Sequence, residues 1–372
     1  MKKFFTVLLV LAVAFSAFAQ GTAETAVAKK AAYSVAMITD YGDITDQSFN
    51  QTTYEACKQY CEANGLKFAY YKPAGDSTAE RVAMIEKAVD EGYNIIVMPG
   101  FAFAGAIKEA APQNPEVKFV ALDVSEYDLT GADMSNVYSM VYQEELAGYM
   151  AGYATVKLGY TKLGYLGGMA VPAVVRYGYG FLQGADDAAK ELGITIDVNY
   201  VYGNQFYGDA DITAYMDTWY KSGTKCVFAC GGGIWTSAAE AAAKVGGKVL
   251  GVDVDQAPII DGAYGAGMTV TSAIKGLAAS TKSTLKTIIE DGKWDTIVGK
   301  VANLGLVSGT DPDANFVGIP TGNGTQWSDK FTLANYKALV ADMFAGKITV
   351  SNDIANAPVL TNTNVQYLGN IK

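Results

Sequence analysis

Val35-Ala-Met-Ile38 runs through Thr39 into Asp40-Tyr-Gly-Asp-Ile-Thr-Asp-Gln-Ser-Phe-Asn-Gln51 near the start of the chain. A continuous apolar run of this length suits a strand buried on both faces. The Gly and Asp residues after it break any regular period, so a loop must follow. Asp46 or Ser48 can cap the helix that comes next, and Phe49, Ala56, Cys57 and Tyr60 fall on one face of it as far as about Asn64. Polar and aromatic side chains thus gather where a strand ends and a helix begins, the edge at which open α/β sheets bind ligands. Taken alone, the segment is also compatible with an ordinary polar βα turn.

The same alternation continues downstream. Lys67 to Tyr71, Asn94 to Pro99, Lys118 to Leu122 and Asn136 to Tyr142 read as strands, with helices over 78–90, up to Ala111, and from Glu144 to Leu158. It then begins again. Lys162 to Gly167, Thr195 to Tyr202, Lys225 to Ala229 and Lys248 to Asp253 are strand-like, separated by helices near 172–192, 209–222 and 234–245. Strands alternating with helices of this length predict parallel sheets with right-handed crossovers, and two successive series predict two doubly wound lobes. The expected division gives 33–142 plus about 271–300 to an N-terminal lobe, and 143–270 plus about 301–372 to a C-terminal lobe. Thr269 to Ala273 reads as a strand leading into a helix from about Lys275, and the last residues read as a helix over 333–345 and a short polar tail.

Before all this stand Met1-Lys-Lys, an apolar run from Phe4 to Phe15 and Ser16-Ala-Phe-Ala19. A basic start, a short hydrophobic core and an Ala-x-Ala site make a secretory signal peptide over 1–19, cleaved near Ala19, with a leader over 20–32. A periplasmic location is the expectation, and with no cysteine near the cleavage site nothing marks a lipid anchor. The 372 residues are half apolar and 18% charged, enough for a large core, and the net charge of −10 argues against a nucleic-acid partner. Four cysteines, at 57, 61, 226 and 230, are spaced awkwardly both for disulfides and for a thiolate metal site, so buried free thiols are expected.

The chain contains no histidine, which removes the commonest general base, the usual partner of a nucleophilic Ser or Cys, and the commonest metal ligand. Neither a cofactor nor a metal is expected. Asp253 with Asp255 could serve a glycosidase as paired carboxylates, but such close pairs more often bind hydroxyls or a cation. Gly231-Gly-Gly233 follows a strand and lacks the Lys-Ser or Lys-Thr of a phosphate loop. What recurs is a polar or aromatic group after each strand: 40–50, Gly100-Phe101, Asp123, 203–206, Gly231 to Trp235 including Gly232, and Asp253. In parallel sheets these positions share one edge, and two facing lobes would bring both sets into one cleft.

Thr39-Asp40 through Gln51, then Gly164-Tyr-Leu-Gly-Gly-Met169 with 176–184, then Gly251-Val-Asp-Val-Asp-Gln256 and Thr271-Ser-Ala-Ile-Lys275, resemble the basic membrane protein (BMP) family. This is a family of ABC-transporter substrate-binding proteins that includes purine nucleoside receptors, and the resemblance runs from about Tyr33 to Val350. It implies a type I periplasmic-binding-protein fold with a three-crossover hinge and a nonenzymatic role. The implied ligand is a purine nucleoside delivered to an ABC permease by a monomeric receptor. By motif position, Asp46, Phe49 and Asn50 would face the base, Phe206 would supply the opposing ring in competition with Tyr202 and Tyr207, and Asp253 and Lys275 would hold the ribose hydroxyls. Gly100, Phe101, Asp123, Gly232 and Trp235 complete the candidate ligand-binding set from the strand-end positions. A sugar receptor of the same fold, or a secreted nucleoside or carbohydrate hydrolase, would use the same residue types.

Overall fold

A computed structural model of the chain describes residues 33–372. The signal peptide and leader read from residues 1–32 lie outside the described residues. Strands β1 (Ser34–Ile38), β2 (Lys67–Tyr71), β3 (Ile95–Pro99), β4 (Lys118–Leu122) and β5 (Val137–Tyr142) are joined through helices α1 (Phe49–Asn64), α2 (Thr78–Asp90) and α3 (Ala104–Ala110). A second series follows: α4 (Glu144–Lys157), β6 (Lys162–Gly167), α5 (Pro172–Leu192), β7 (Ile196–Tyr202), α6 (Ala210–Lys221), β8 (Cys226–Cys230), α7 (Trp235–Ala243), β9 (Lys248–Asp253), α8 (Ala257–Tyr264) and β10 (Thr269–Lys275). The remainder supplies α9 (Leu277–Ile289), β11 (Val301–Leu304), β12 (Val317–Gly318), α10 (Leu333–Phe344) and β13 (Thr363–Asn370).

These strands build two sheets, ordered β11-β5-β4-β3-β1-β2 and β12-β10-β9-β8-β6-β7-β13. Every pairing is parallel except β10 with β12. Central strands β1, β3 and β8 are buried along their whole length, which is why they read as unbroken apolar runs. The four cysteines are buried and unbridged. Among the described residues no helix is long and apolar enough to cross a membrane.

The lobe boundaries differ from the expected ones. Residues 271–275 belong to β10 in the second sheet, paired with β9, and 301–304 form β11 in the first, paired with β5. The chain therefore changes lobe at Gln143, Gly276 and Gly305. An isolated apolar-polar strand carries no local mark of which sheet it will join, so the exchange was invisible in sequence. Lys275 is consequently the last residue of a strand and not the first turn of a helix. The crossovers run side by side: Gln143 N donates to Leu304 O at 2.9 Å, Gly276 N to Phe316 O at 2.7 Å and Phe316 N to Gly305 O at 3.0 Å. The polar tail also becomes structure, because 363–370 adds β13 to the edge of the second sheet beside β7. Its exposed face and few apolar residues hid it.

Helices α4 and α5 pack backbone to backbone, and glycines make this possible. A Cβ at Gly152 would lie 2.1 Å from Phe181 O, and one at Gly180 would lie 2.1 Å from Glu145 O. Gly152→Ala is thus expected to force the helices apart and destabilise the protein by about 1–3 kcal/mol. Gly262→Ala in α8, where nothing lies within 4 Å, should be neutral or stabilising by up to about 1 kcal/mol. Paired urea denaturation checks this, and equal midpoints for the two variants would contradict it. The packing matters for the site because α5 carries Arg176 and Tyr177.

Candidate functional site

The strand ends of both lobes meet across a cleft of about 820 Å³, counting its open mouth. The first lobe contributes the β1–α1 loop, Gly100, Phe101 and Asp123, and the second contributes the start of α5, Phe206, Gly231, Gly232, Asp253 and Lys275. Beside the Lys275–Asp123 pair described below, other hydrogen bonds bridge the lobes here. Ser48 Oγ donates to Asp253 Oδ2 at 2.6 Å, Gln256 Nε2 to Gln47 O at 3.0 Å and Tyr41 Oη to Met169 Sδ at 3.1 Å.

In the β1–α1 loop, Asp46 lines the cleft but is fully engaged in capping α1. Its Oδ1 accepts from Ser48 N and Gln51 N, both at 3.0 Å, and its Oδ2 from Asn50 N at 2.9 Å and Asn50 Nδ2 at 3.1 Å. Burial raises the pKa of this carboxyl while those backbone donors oppose the rise. Two carboxylate oxygens offer about four acceptor sites, so Asp46 has none left for a ligand. What it does is fix Asn50, whose Oδ1 is buried without a partner. Asp40, which the sequence reading placed only within the loop, is also buried and accepts from Tyr41 N at 2.7 Å and Gly42 N at 2.9 Å. Its Oδ2 comes within 2.5 Å of where a Cβ at Gly100 would stand, so glycine at 100, with φ +126°, makes room for it.

Asp123 directly follows β4 and Asp253 ends β9, corresponding positions in the two lobes. Both adopt left-handed backbone, φ +60° and +66°, a conformation uncommon outside glycine and typical of strained sites. Each carboxylate is thereby turned toward Lys275, whose side chain is only 2% exposed. Lys275 Nζ lies 2.6 Å from Asp123 Oδ2, 3.4 Å from Glu144 Oε1 and 3.7 Å from Asp253 Oδ1. Glu144 in turn accepts from Arg176 Nε at 2.7 Å. Burial works against the Lys275 charge, but Asp123, Asp253 and Glu144 outweigh it and hold its pKa above the ordinary lysine value. Burial likewise pushes Asp123 up to about 6, with Glu144 and Asp253 adding to the rise and Lys275 opposing it. Asp253 is raised by burial too, against the pull of Lys275 and Ser48.

Aromatic groups flank this charged floor. Phe49 begins α1 with its ring centre 4.7 Å from Lys275 Nζ. Phe206 comes from the opposite lobe and lies against Gly168 and Gly231, where a Cβ would stand 2.3 and 2.9 Å from its Cδ1. Gly232, at φ +52°, completes that shelf. Of the competing rings, Tyr202 pairs with Tyr200 through their hydroxyls and Tyr207 faces solvent, so only Phe206 enters the cleft.

Trp235 does not line the cleft. It heads α7 on the same face as Ala238, Ala239 and Ala242, and that face packs into the core, where the indole meets Tyr264 edge-on at 6.5 Å. Asp255 also lies outside the cleft, accepting from Ala257 N, so no pair with Asp253 is presented to a ligand. Glu144, Arg176 and Tyr177 were given no role by sequence reasoning. Glu144 stands just beyond β5 as Asp123 does beyond β4, so the strand-end rule reaches it, but in sequence it reads only as the first residue of a helix. Three buried polar atoms on cleft residues lack partners: Asn50 Oδ1, Asp123 Oδ1 and Tyr177 Oη.

The model of the Bmp family, described as PnrA-like ABC transporter substrate-binding proteins, matches residues 33–311. An ABC transporter nucleoside-binding protein, BmpA, of Lactococcus lactis subsp. cremoris is 29% identical over 234 residues, 59% of this chain and 64% of that protein. The chain thus matches just under two thirds of that relative's length. Basic membrane protein A1 of Borrelia garinii subsp. bavariensis is 27% identical over 283 residues, 74% of this chain and 77% of that protein. Among solved structures, a solute-binding protein of Aeropyrum pernix K1 superposes with TM-score 0.64 at 20% identity, covering 87% of this chain and 88% of that one. One from Conexibacter woesei gives 0.64 at 19%, covering 86% and 99%. At those identities the structural likeness speaks for the fold alone, the two-lobed periplasmic-binding-protein architecture. Family model, fold and cleft agree: this chain belongs to the Bmp family of ABC transporter substrate-binding proteins.

Proposed function

We propose that this protein binds a purine nucleoside in the interlobe cleft and delivers it to an ABC permease, without altering it. The observation that carries the proposal is the Asp123–Lys275–Asp253 floor, with an unpartnered Asp123 oxygen, lying between the Phe49 and Phe206 sides of the cleft. An ionised carboxylate accepts on both oxygens and suits vicinal ribose hydroxyls, while aromatic rings suit a base. Asn50, held by Asp46, presents its free amide oxygen to a donor on the base. Chemistry is disfavoured because Lys275 and Ser48 already engage the carboxylates. The Lactococcus relative's description as nucleoside-binding supports the same ligand class.

The test is a thermal-shift and turnover screen with inosine, guanosine, adenosine, free bases and simple sugars. Ligand at about 100 times its dissociation constant should add roughly 2.7 kcal/mol to stability. Nucleosides should shift the melting temperature and be recovered unchanged. A shift with sugars alone would replace the ligand class, and loss of substrate would make the protein an enzyme.

A further inference from the structure

Glu144 is fully buried, contributes nothing to the cleft lining, and yet touches both cations that do line it. Its Oε2 accepts from Arg176 Nε at 2.7 Å and its Oε1 lies 3.4 Å from Lys275 Nζ. It follows the first crossover, at Gln143, while Lys275 precedes the second, at Gly276, so one carboxylate ties together side chains from two segments of the hinge. We propose that Glu144 is a positioning residue for ligand binding, which holds Lys275 and Arg176 in place behind the cleft and sets the charge that Asp123 presents to the ligand's hydroxyl. The part concerning affinity rests on the nucleoside reading above; the part concerning Asp123 does not.

The electrostatics follow from the groups around Asp123. Facing it are Lys275 from β10, Asp253 from the end of β9, Glu144 from α4, Arg176 and Tyr177 from α5, and Tyr142 from β5. Burial pushes both tyrosines far up, so they stay neutral through the physiological range. The charged members are then two cations, Lys275 and Arg176, against three carboxylates, Asp123, Glu144 and Asp253. In a buried site the excess negative charge is relieved by a proton. Asp123 is the member with an unpartnered buried oxygen to carry that proton, and burial raises its carboxyl to about 6. Glu145, which burial raises to about 7, lies 3.9 Å from Arg176 Nε and is not among the groups that most shift Asp123. Neutralising Glu144 equalises the charges and removes the reason for Asp123 to protonate.

The experiment follows the Asp123 carboxyl by carbon NMR titration in the full chain, assigned with Asp123→Asn, alongside calorimetry with inosine. In Glu144→Gln the Asp123 midpoint should fall by about one pH unit, as expected when a close like charge is removed. Inosine affinity should then drop only about twofold between pH 8 and pH 5, against about tenfold in the wild type, as the two midpoints dictate. Arg176→Gln should move the Asp123 midpoint the other way, which gives a second readout if Glu144→Gln folds poorly, and Glu145→Gln should leave it nearly unchanged. A folded Glu144→Gln or Arg176→Gln protein whose Asp123 midpoint equals the wild-type value would overturn the proposal. If inosine binds no variant and not the wild type, the nucleoside reading fails, while the NMR midpoints still decide the role of Glu144.

Discussion

Lys275→Met should abolish ligand binding and destabilise the protein by about 3–5 kcal/mol, the usual result of removing one partner from a buried ion cluster. Methionine fills nearly the same volume, so the loss comes from charge. Asp123, Glu144 and Asp253 would remain buried around an apolar side chain, with only Arg176 and Ser48 to answer them. The pH dependence distinguishes this cause from poor packing. A carboxyl whose folded pKa exceeds its unfolded value contributes stability that is complete below the unfolded pKa and is lost as pH rises through the folded one. Asp123 already behaves this way, rising from 3.8 to about 6, and losing Lys275 raises it further. The Met variant's deficit in urea denaturation should therefore shrink as pH falls from 7 toward 4.5. A deficit of equal size at both pH values would point to packing, and wild-type stability at pH 7 would mean that the carboxylates are not charged.

Asp253→Asn should weaken inosine binding at least about tenfold, or 1.4 kcal/mol, while changing stability little. Asparagine is the cleaner replacement than alanine here. It tolerates the left-handed backbone at φ +66°, and its oxygen can still accept from Ser48, so the fold keeps its interlobe bridge. What it loses is a charged acceptor for a ribose hydroxyl, and charge-assisted bonds of that kind contribute roughly 1.5–3 kcal/mol. The loss should be smaller for 2′-deoxyinosine, which lacks one hydroxyl. If Asp253 serves only to tether Ser48, Ser48→Ala will weaken both ligands while Asp253→Asn weakens neither. Calorimetry with the two ligands on both variants decides between these roles.

Much of this architecture is written locally. A strand buried on both faces must be apolar throughout, so Val35 to Ile38 and Val249 to Val252 announce a parallel sheet, and the polar residue that follows each one marks the ligand edge. That rule found Asp123, Asp253, Gly100 and Phe206, all on the cleft. It also offered Trp235, because a residue after a strand can turn either to the cleft or under its helix, and the apolar face of α7 takes it inward. Asp46 shows the same limit from the other side. Its position before a helix was legible, but only the folded loop shows that four donors consume its oxygens.

The sequence by itself determined the two-lobed α/β fold, the shared edge where strand-end residues collect, and the family motifs they belong to. Tertiary structure alone decided which sheet 269–275 and 301–304 would join, and that Lys275 would be the buried hub of the site. The physical reason is range. Hydrophobic period and helix caps are set by neighbours a few residues apart, whereas the charges that make Lys275 tolerable come from Asp123 and Glu144, 152 and 131 positions away.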